Sequence, residues 1–125
     1  TGRPRRTGWF DAVIMRHAVR VNGLTGLAIN KFDTLSGIPV LKVCTAYETT
    51  DGEILRDFPV TLEELAKCKP VYEEIEGYEG DISGCKTFGE LPEKCRAYIT
   101  RLEELCGCPI TIIGVGAGRE DVIFR

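Results

Sequence analysis

LPEKCRAYITRLEELCGCPITIIGV, running from Leu91 to Val115, carries the clearest structural signal in the chain. Pro92 suits the first turn of a helix, where the N–H it lacks would have no partner anyway. Behind it Cys95, Tyr98, Ile99, Leu102, Leu105 and Cys106 recur at helical spacing, and Gly107 with Pro109 ends the run. Ile110–Val115 follows as a buried strand that stops at a glycine-rich turn, and Val122–Phe124 reads as a last strand. A helix leading directly into a buried strand points to an α/β domain, expected here as helices packed on a mixed sheet.

Upstream, Trp9–Val21 has apolar residues at Phe10, Val13, Ile14, Ala18 and Val21, which predicts a helix stopped by Asn22-Gly23. Leu24–Ile29 and Val40–Tyr47 are short runs rich in branched residues and bounded by turn formers, so both are expected strands. Asp51-Gly52 is a hairpin signal that would pair the segment ending near Tyr47 with one starting near Glu53. Thr61-Leu62-Glu63-Glu64 fits a capping box at the head of a short helix ending near Cys68. From Glu48 to Asp81 there are eleven acidic and three basic side chains, with Pro70, Gly77 and Gly80 interrupting any period. This stretch is expected to be a solvated excursion between core elements.

The 125 residues, 43% hydrophobic and 28% charged, describe one soluble domain with enough apolar material for a core. No apolar run approaches the roughly 20 residues of a membrane helix, and no leader is expected. A net charge of -3 disfavours a general nucleic-acid binder. The charge is uneven: Thr1–Arg20 holds Arg3, Arg5, Arg6, Arg16 and Arg20 against Asp11 alone, a local +4 that leaves the remainder near -7. A cationic opening on an acidic domain suggests a site for carboxylates or phosphates. The start at Thr1, inside an arginine cluster and without Met, suggests a piece of a longer protein. The six cysteines have no C-x-x-C pair, and His17 is the sole histidine, so the cysteines are expected to be reduced, small hydrophobes.

Three motifs carry chemistry. In Thr1-Gly2-Arg3-Pro4-Arg5-Arg6, glycine permits close approach of backbone to ligand, proline stiffens the loop, and the guanidiniums match carboxylate or phosphate oxygens; a flexible basic arm is the plainer reading. Asn30-Lys31-Phe32-Asp33 follows a strand and has the N-K-x-D form of guanine recognition. There an aspartate accepts hydrogen bonds from guanine N1–H and the exocyclic amine, and a lysine stem lies over the base. The plainer reading has Asp33 capping the next turn. Gly114-Val115-Gly116-Ala117-Gly118-Arg119 could lie against a base or ribose, or be an ordinary turn. Neither G-x-G-x-x-G nor G-x-x-x-x-G-K-[ST] occurs, and no nucleophile stands with a paired base; His17, beside Arg16 in a predicted helix, reads as structural.

Taken in order, these motifs resemble the C-terminal part of the adenylosuccinate synthetase family from Thr1 to Arg125. Besides the arginine loop, the resemblance is carried by Gly8-Trp9-Phe10-Asp11-Ala12-Val13, Asn30-Lys31-Phe32-Asp33, Pro70-Val71-Tyr72-Glu73, Leu91-Pro92, Tyr98-Ile99 and Arg101-Leu102-Glu103-Glu104-Leu105. It implies part of a larger, P-loop-related ligase that joins L-aspartate to IMP using GTP, phosphorylating the purine 6-oxygen and displacing that phosphate with the aspartate amine. By position, Thr1, Gly2, Arg3 and Arg5 would bind aspartate, with Arg3 also reaching IMP and Arg5 also reaching GTP. Lys31, Phe32 and Asp33 would hold guanine, with Gly114, Val115 and Gly116 lining the base pocket.

The resemblance also implies a cytoplasmic homodimer with no nucleic-acid or membrane partner. The phosphate loop, catalytic aspartate and histidine, and Mg2+ ligand would lie upstream of Thr1, so this chain would hold no catalytic or metal residue and would be inactive without that N-terminal part. Two departures stand out. The family more often has Thr-Lys-Leu-Asp at the guanine site and Ser-Thr-Gly or Ser-Val-Gly where this chain has Gly114-Val115-Gly116. The rival readings are the C-terminal half of another GTP-binding module, which would need a serine-alanine-lysine loop downstream that is missing, and an RNA-binding arm, which the acidic remainder disfavours.

Overall fold

Asp11 decides where the first helix begins. The computed structural model describes residues 2–125. In it Asp11 Oδ1 accepts from the N–H groups of Val13 (2.9 Å) and Ile14 (3.2 Å), so α1 runs Ala12–Asn22 and not from Trp9. The two residues before it, Phe10–Asp11, form the short strand β1. Gly23 ends α1 in the left-handed conformation at φ 63°, as the Asn22-Gly23 signal implied.

The remaining elements are β2 (Leu27–Ile29), β3 (Val40–Glu48), β4 (Ile54–Leu55), α2 (Leu62–Lys67), β5 (Lys69–Glu76), α3 (Glu93–Cys106), β6 (Ile110–Gly114) and β7 (Val122–Phe124). They make two mixed sheets. In the first, β5 runs antiparallel along one edge of β3, from Val40↔Glu76 to Glu48↔Lys69. The other edge is shared by β1, parallel, and by β4, antiparallel through the Asp51-Gly52 hairpin. In the second, β6 pairs parallel with β2 and antiparallel with β7. Thr61 Oγ1 accepts from Glu64 N at 3.2 Å, as its half of the capping box requires.

β5 corrects the expectation of a solvated excursion between Glu48 and Asp81. Val71, Glu73 and Ile75 alternate inward with exposed Tyr72, Glu74 and Glu76, a period-2 strand with a charge in one inward place. That charge is met from α3: Arg101 Nε and Nη2 each donate to a Glu73 carboxylate oxygen at 2.7 Å. The bidentate geometry holds the Glu73 carboxyl below its ordinary range.

The larger of two buried clusters joins the sheets through α3. Cys95, Tyr98, Ile99, Leu102 and Cys106 on α3 are buried against Leu41 and Val43 of β3 and against Leu27, Ile110, Ile113 and Ile123 of the second sheet. Pro92 occupies the cap of α3 instead of its first turn, and Gly107 closes the helix at φ 67°. A register shift between Cys44 and Ala46 breaks the alternation of β3, so Cys44 and Tyr47 join Val13 in a smaller cluster. All six thiols are free; Cys44, Cys95, Cys106 and Cys108 are buried, and burial pushes the Cys44 thiol up to about 11. They serve as small hydrophobes.

Candidate functional site

β2 ends at Ile29 and β6 ends at Gly114, and the two strands run parallel with Ile29 beside Ile113. Their following loops therefore emerge at one edge of the sheet, the carboxyl ends of parallel strands, where open α/β sheets place ligands. This brings together two of the three sequence motifs, separated by some eighty residues.

The first loop is held from both sides. Phe32 N donates to Gly114 O at 3.1 Å, tying the loops to each other. Tyr78 Oη, two residues past the end of β5, donates to Phe32 O at 2.6 Å. Lys31 takes a left-handed conformation at φ 73°, the one non-glycine to do so among the described residues, and Thr34 Oγ1 donates to its carbonyl at 2.7 Å. A turn of 3-10 helix, Asp33–Leu35, follows.

Asp33 carries one of two unpartnered buried side-chain polar atoms among the described residues, the other being Arg96 Nε on α3. The cap position of the turn is Phe32, and Asp33 Oδ1 is buried with no hydrogen-bond partner among the described residues. A buried carboxylate oxygen without a donor is costly to the fold. Lys31 beside it is exposed. Phe32 departs from the sequence reading in one respect: its ring is 1% exposed and packs edge-on to Tyr98, so its side chain is unavailable to a ligand and anchors the loop.

On the second loop Gly114 packs directly against Asn30. A Cβ at Gly114 would lie 2.5 Å from Asn30 Oδ1 and 2.9 Å from Asn30 Cα, so the asparagine side chain fills the space a serine would need. A Cβ at Gly116 would lie 2.5 Å from Asp121 Oδ2, which accepts from Gly118 N at 2.9 Å. Val115 is fully buried, and its N–H donates to Asp121 O at 2.8 Å. Gly114 is thus buried against Asn30, and Gly116 is half-buried with Asp121 behind it.

The arginine loop is placed differently. Thr1 lies outside the described residues; Gly2, Arg3 and Arg5 are exposed, and no hydrogen bond or ion pair holds either arginine among the described residues. The loop's exit does reach the site: Gly8 and Trp9 line a cleft of about 190 Å³ together with Asn30, Lys31, Phe32 and Thr34. Arg16 and Arg20, counted in the same cationic segment, are structural. Arg16 Nη2 donates to Arg56 O at 2.7 Å, Arg20 pairs with Asp57 at 3.1 Å, and His17 stacks on Phe58, so together they pin α1 to the segment after β4. Tyr78 and Asp121 were missed, since nothing local in the sequence marks a buried tyrosine or an aspartate as a loop brace.

The family model for adenylosuccinate synthetase matches residues 1–123. The chain belongs to the adenylosuccinate synthetase family. The adenylosuccinate synthetase of Heliobacterium modesticaldum is 56% identical over 123 residues, 98% of this chain and 29% of the relative. That of Geobacter sulfurreducens is 54% identical over 124 residues, 99% of this chain and 28% of the relative. The structure of a fully ligated adenylosuccinate synthetase from Plasmodium falciparum superposes with a TM-score of 0.92 at 36% identity, covering 98% of this chain and 30% of that one. The chain thus spans under a third of the length of these adenylosuccinate synthetases, and its two mixed sheets are part of their fold.

Proposed function

We propose that this chain is the C-terminal part of a GTP-dependent ligase that joins IMP and L-aspartate into adenylosuccinate for AMP biosynthesis, and that it supplies the guanine subsite and the aspartate loop. The observation that carries this is Asp33: a buried, unpartnered carboxylate oxygen on a loop whose conformation is fixed by its neighbours. Guanine offers N1–H and the exocyclic amine side by side, and a carboxylate accepts both; adenine lacks that pair of donors. The Lys31 stem covers the base, the Phe32 backbone sets the turn, and buried Gly114 and Val115 back the pocket while half-buried Gly116 lies toward the base.

In this reading Thr1, Gly2, Arg3 and Arg5 close on the aspartate carboxylates, with Arg3 also on IMP and Arg5 also on GTP. Arg3 and Arg5 are exposed and have no partner among the described residues, which leaves their guanidiniums available for such anions, where they would stabilise carboxylate and phosphoryl charge. Phosphorylation of the purine 6-oxygen requires a phosphate loop and a proton-transferring pair, which the N-terminal part of the same protein would provide. Mg2+ would be held there as well. Among the described residues no three His, Cys, Asp or Glu side chains gather into a metal site, so no step is assigned to Mg2+ on this chain. The whole enzyme would work as a cytoplasmic homodimer; no helix of the described residues is long and apolar enough to cross a membrane.

The test is adenylosuccinate formation from IMP, aspartate and GTP. The full-length protein carrying this chain is expected to form it and the chain by itself is not. Synthesis by the chain alone, or none by the full-length protein, would overturn the reading.

A further inference from the structure

We infer that Tyr78 is a positioning residue for guanine selectivity: its hydroxyl, through the Phe32 carbonyl, sets the orientation of the Asp33 carboxylate. The inference rests on the guanine reading of Asp33 given above and adds a residue that touches no ligand.

The argument starts from the peptide plane. The carbonyl of Phe32 and the N–H of Asp33 belong to one rigid unit, so a group that fixes Phe32 O also fixes the direction in which Asp33 Cα leaves the loop. Tyr78 Oη donates to that oxygen at 2.6 Å. The tyrosine is 1% exposed, and burial pushes its hydroxyl well above its ordinary range, so it remains a donor across the working pH range. The residue before Phe32 also needs such a hold. Lys31 is left-handed at φ 73°, a conformation that costs a non-glycine residue energy and persists only where neighbours impose it.

Tyr78 is itself part of a brace between the end of β5 and the segment following the turn. Gly37 N donates to Tyr78 O at 2.8 Å, Gly77 N to Pro39 O at 2.9 Å, and Ser36 Oγ to Gly80 O at 2.5 Å. Gly77 is what lets the two chains approach this closely, since a Cβ there would overlap the Ile38 carbonyl oxygen. Residues 77–80 therefore grip both ends of the Asp33 turn: the Phe32 carbonyl before it and Ser36–Gly37 after it. The direction of one hydrogen bond matters for selectivity because Asp33 must meet two guanine donors at once. A carboxylate rotated by a few tens of degrees keeps one bond and loses the other.

The experiment is steady-state kinetics of the full-length protein with GTP and with ITP, whose base lacks the exocyclic amine. Tyr78→Phe keeps the ring in place and deletes only the donor. The expected result is a rise of about fivefold in KM for GTP, the size of one neutral hydrogen bond. The GTP-over-ITP ratio of kcat/KM should shrink severalfold, with KM for IMP and aspartate within about twofold. A purely structural role would not move the ratio. Ser36→Ala, at the exposed end of the same brace, is expected to shift the ratio in the same direction by less, and it serves if Tyr78→Phe folds poorly. Asp33→Asn is the reference: it must abolish the preference for GTP. If it does, and both Tyr78→Phe and Ser36→Ala leave the ratio unchanged, the role of Tyr78 is refuted while the guanine site stands. An unchanged preference in Asp33→Asn itself refutes the site and the inference with it.

Discussion

Placing a side chain at Gly114 should damage the guanine loop through Asn30, and removing the Asn30 side chain should repair only part of the damage. A Cβ at Gly114 meets Asn30 Oδ1 at 2.5 Å, Asn30 Cβ at 3.2 Å and Asn30 Cα at 2.9 Å. The first two atoms belong to the asparagine side chain and disappear in Asn30→Gly; the third is backbone and remains. Forcing one extra methyl into a closed space costs about 1–3 kcal/mol. Gly114→Ala is therefore expected to cost about 2 kcal/mol, with roughly half recovered in the Asn30 variant background, a coupling of about 1 kcal/mol. The assay is a double-mutant cycle by urea unfolding of Gly114→Ala, Asn30→Gly and the double variant. Because Phe32 N is bonded to Gly114 O at 3.1 Å, guanine-nucleotide affinity should fall in the same order. An unchanged midpoint in Gly114→Ala, or costs that simply add, would refute the claim that Gly114 and Asn30 are packed as one unit.

Two further outcomes follow from the same coordinates. Leu102 is fully buried between the two sheets, so Leu102→Ala should cost about 2–5 kcal/mol, read as a lower midpoint in thermal or urea unfolding; a loss under about 1 kcal/mol would show that α3 is not the centre of the core. The Glu73 carboxyl is held below its ordinary 4.5 by Arg101, so its contribution is fully present above that pH and is lost as pH falls through the lower folded value. With Arg101 and Glu73 side chains 40% and 33% exposed, that contribution is at most about 1 kcal/mol. Glu73→Gln should accordingly narrow its stability gap to the wild type as the pH is lowered below 4.5, and a gap that widened would contradict the assignment.

What the sequence made legible was what local chemistry encodes. The helix ending at Gly107, the strand from Ile110 and the Asp51-Gly52 hairpin each carry their signal within a few residues, and each stands in the structure close to where it was expected. β5 did not, because Glu73 occupies an inward position and its partner Arg101 lies 28 residues away, so a true alternation reads as acidic loop. The same limit applies to the site. Lys31, Asp33, Gly114 and Gly116 were visible as short motifs next to strand ends. The groups that shape them were not: Tyr78 reaches Phe32 across 46 residues, and the fit of Asn30 against Gly114 exists only once β2 and β6 are paired. Arg16 and Arg20 show the converse error, since net charge cannot distinguish a guanidinium reserved for a ligand from one already bonded to Arg56 O or Asp57.

The central claim is that the Asp33 carboxylate reads guanine. An asparagine at that position would present one acceptor and one donor in place of two acceptors, which suits xanthine, whose 2-position is a carbonyl oxygen where guanine has an amine. The measurement is calorimetric titration of the full-length protein and its Asp33→Asn variant with GDP and XDP. The account predicts that the wild type prefers GDP, that the variant prefers XDP, and that the inversion amounts to at least tenfold in the ratio of Kd values, about 1.4 kcal/mol. An Asp33→Asn protein that still prefers GDP as strongly as the wild type would contradict it.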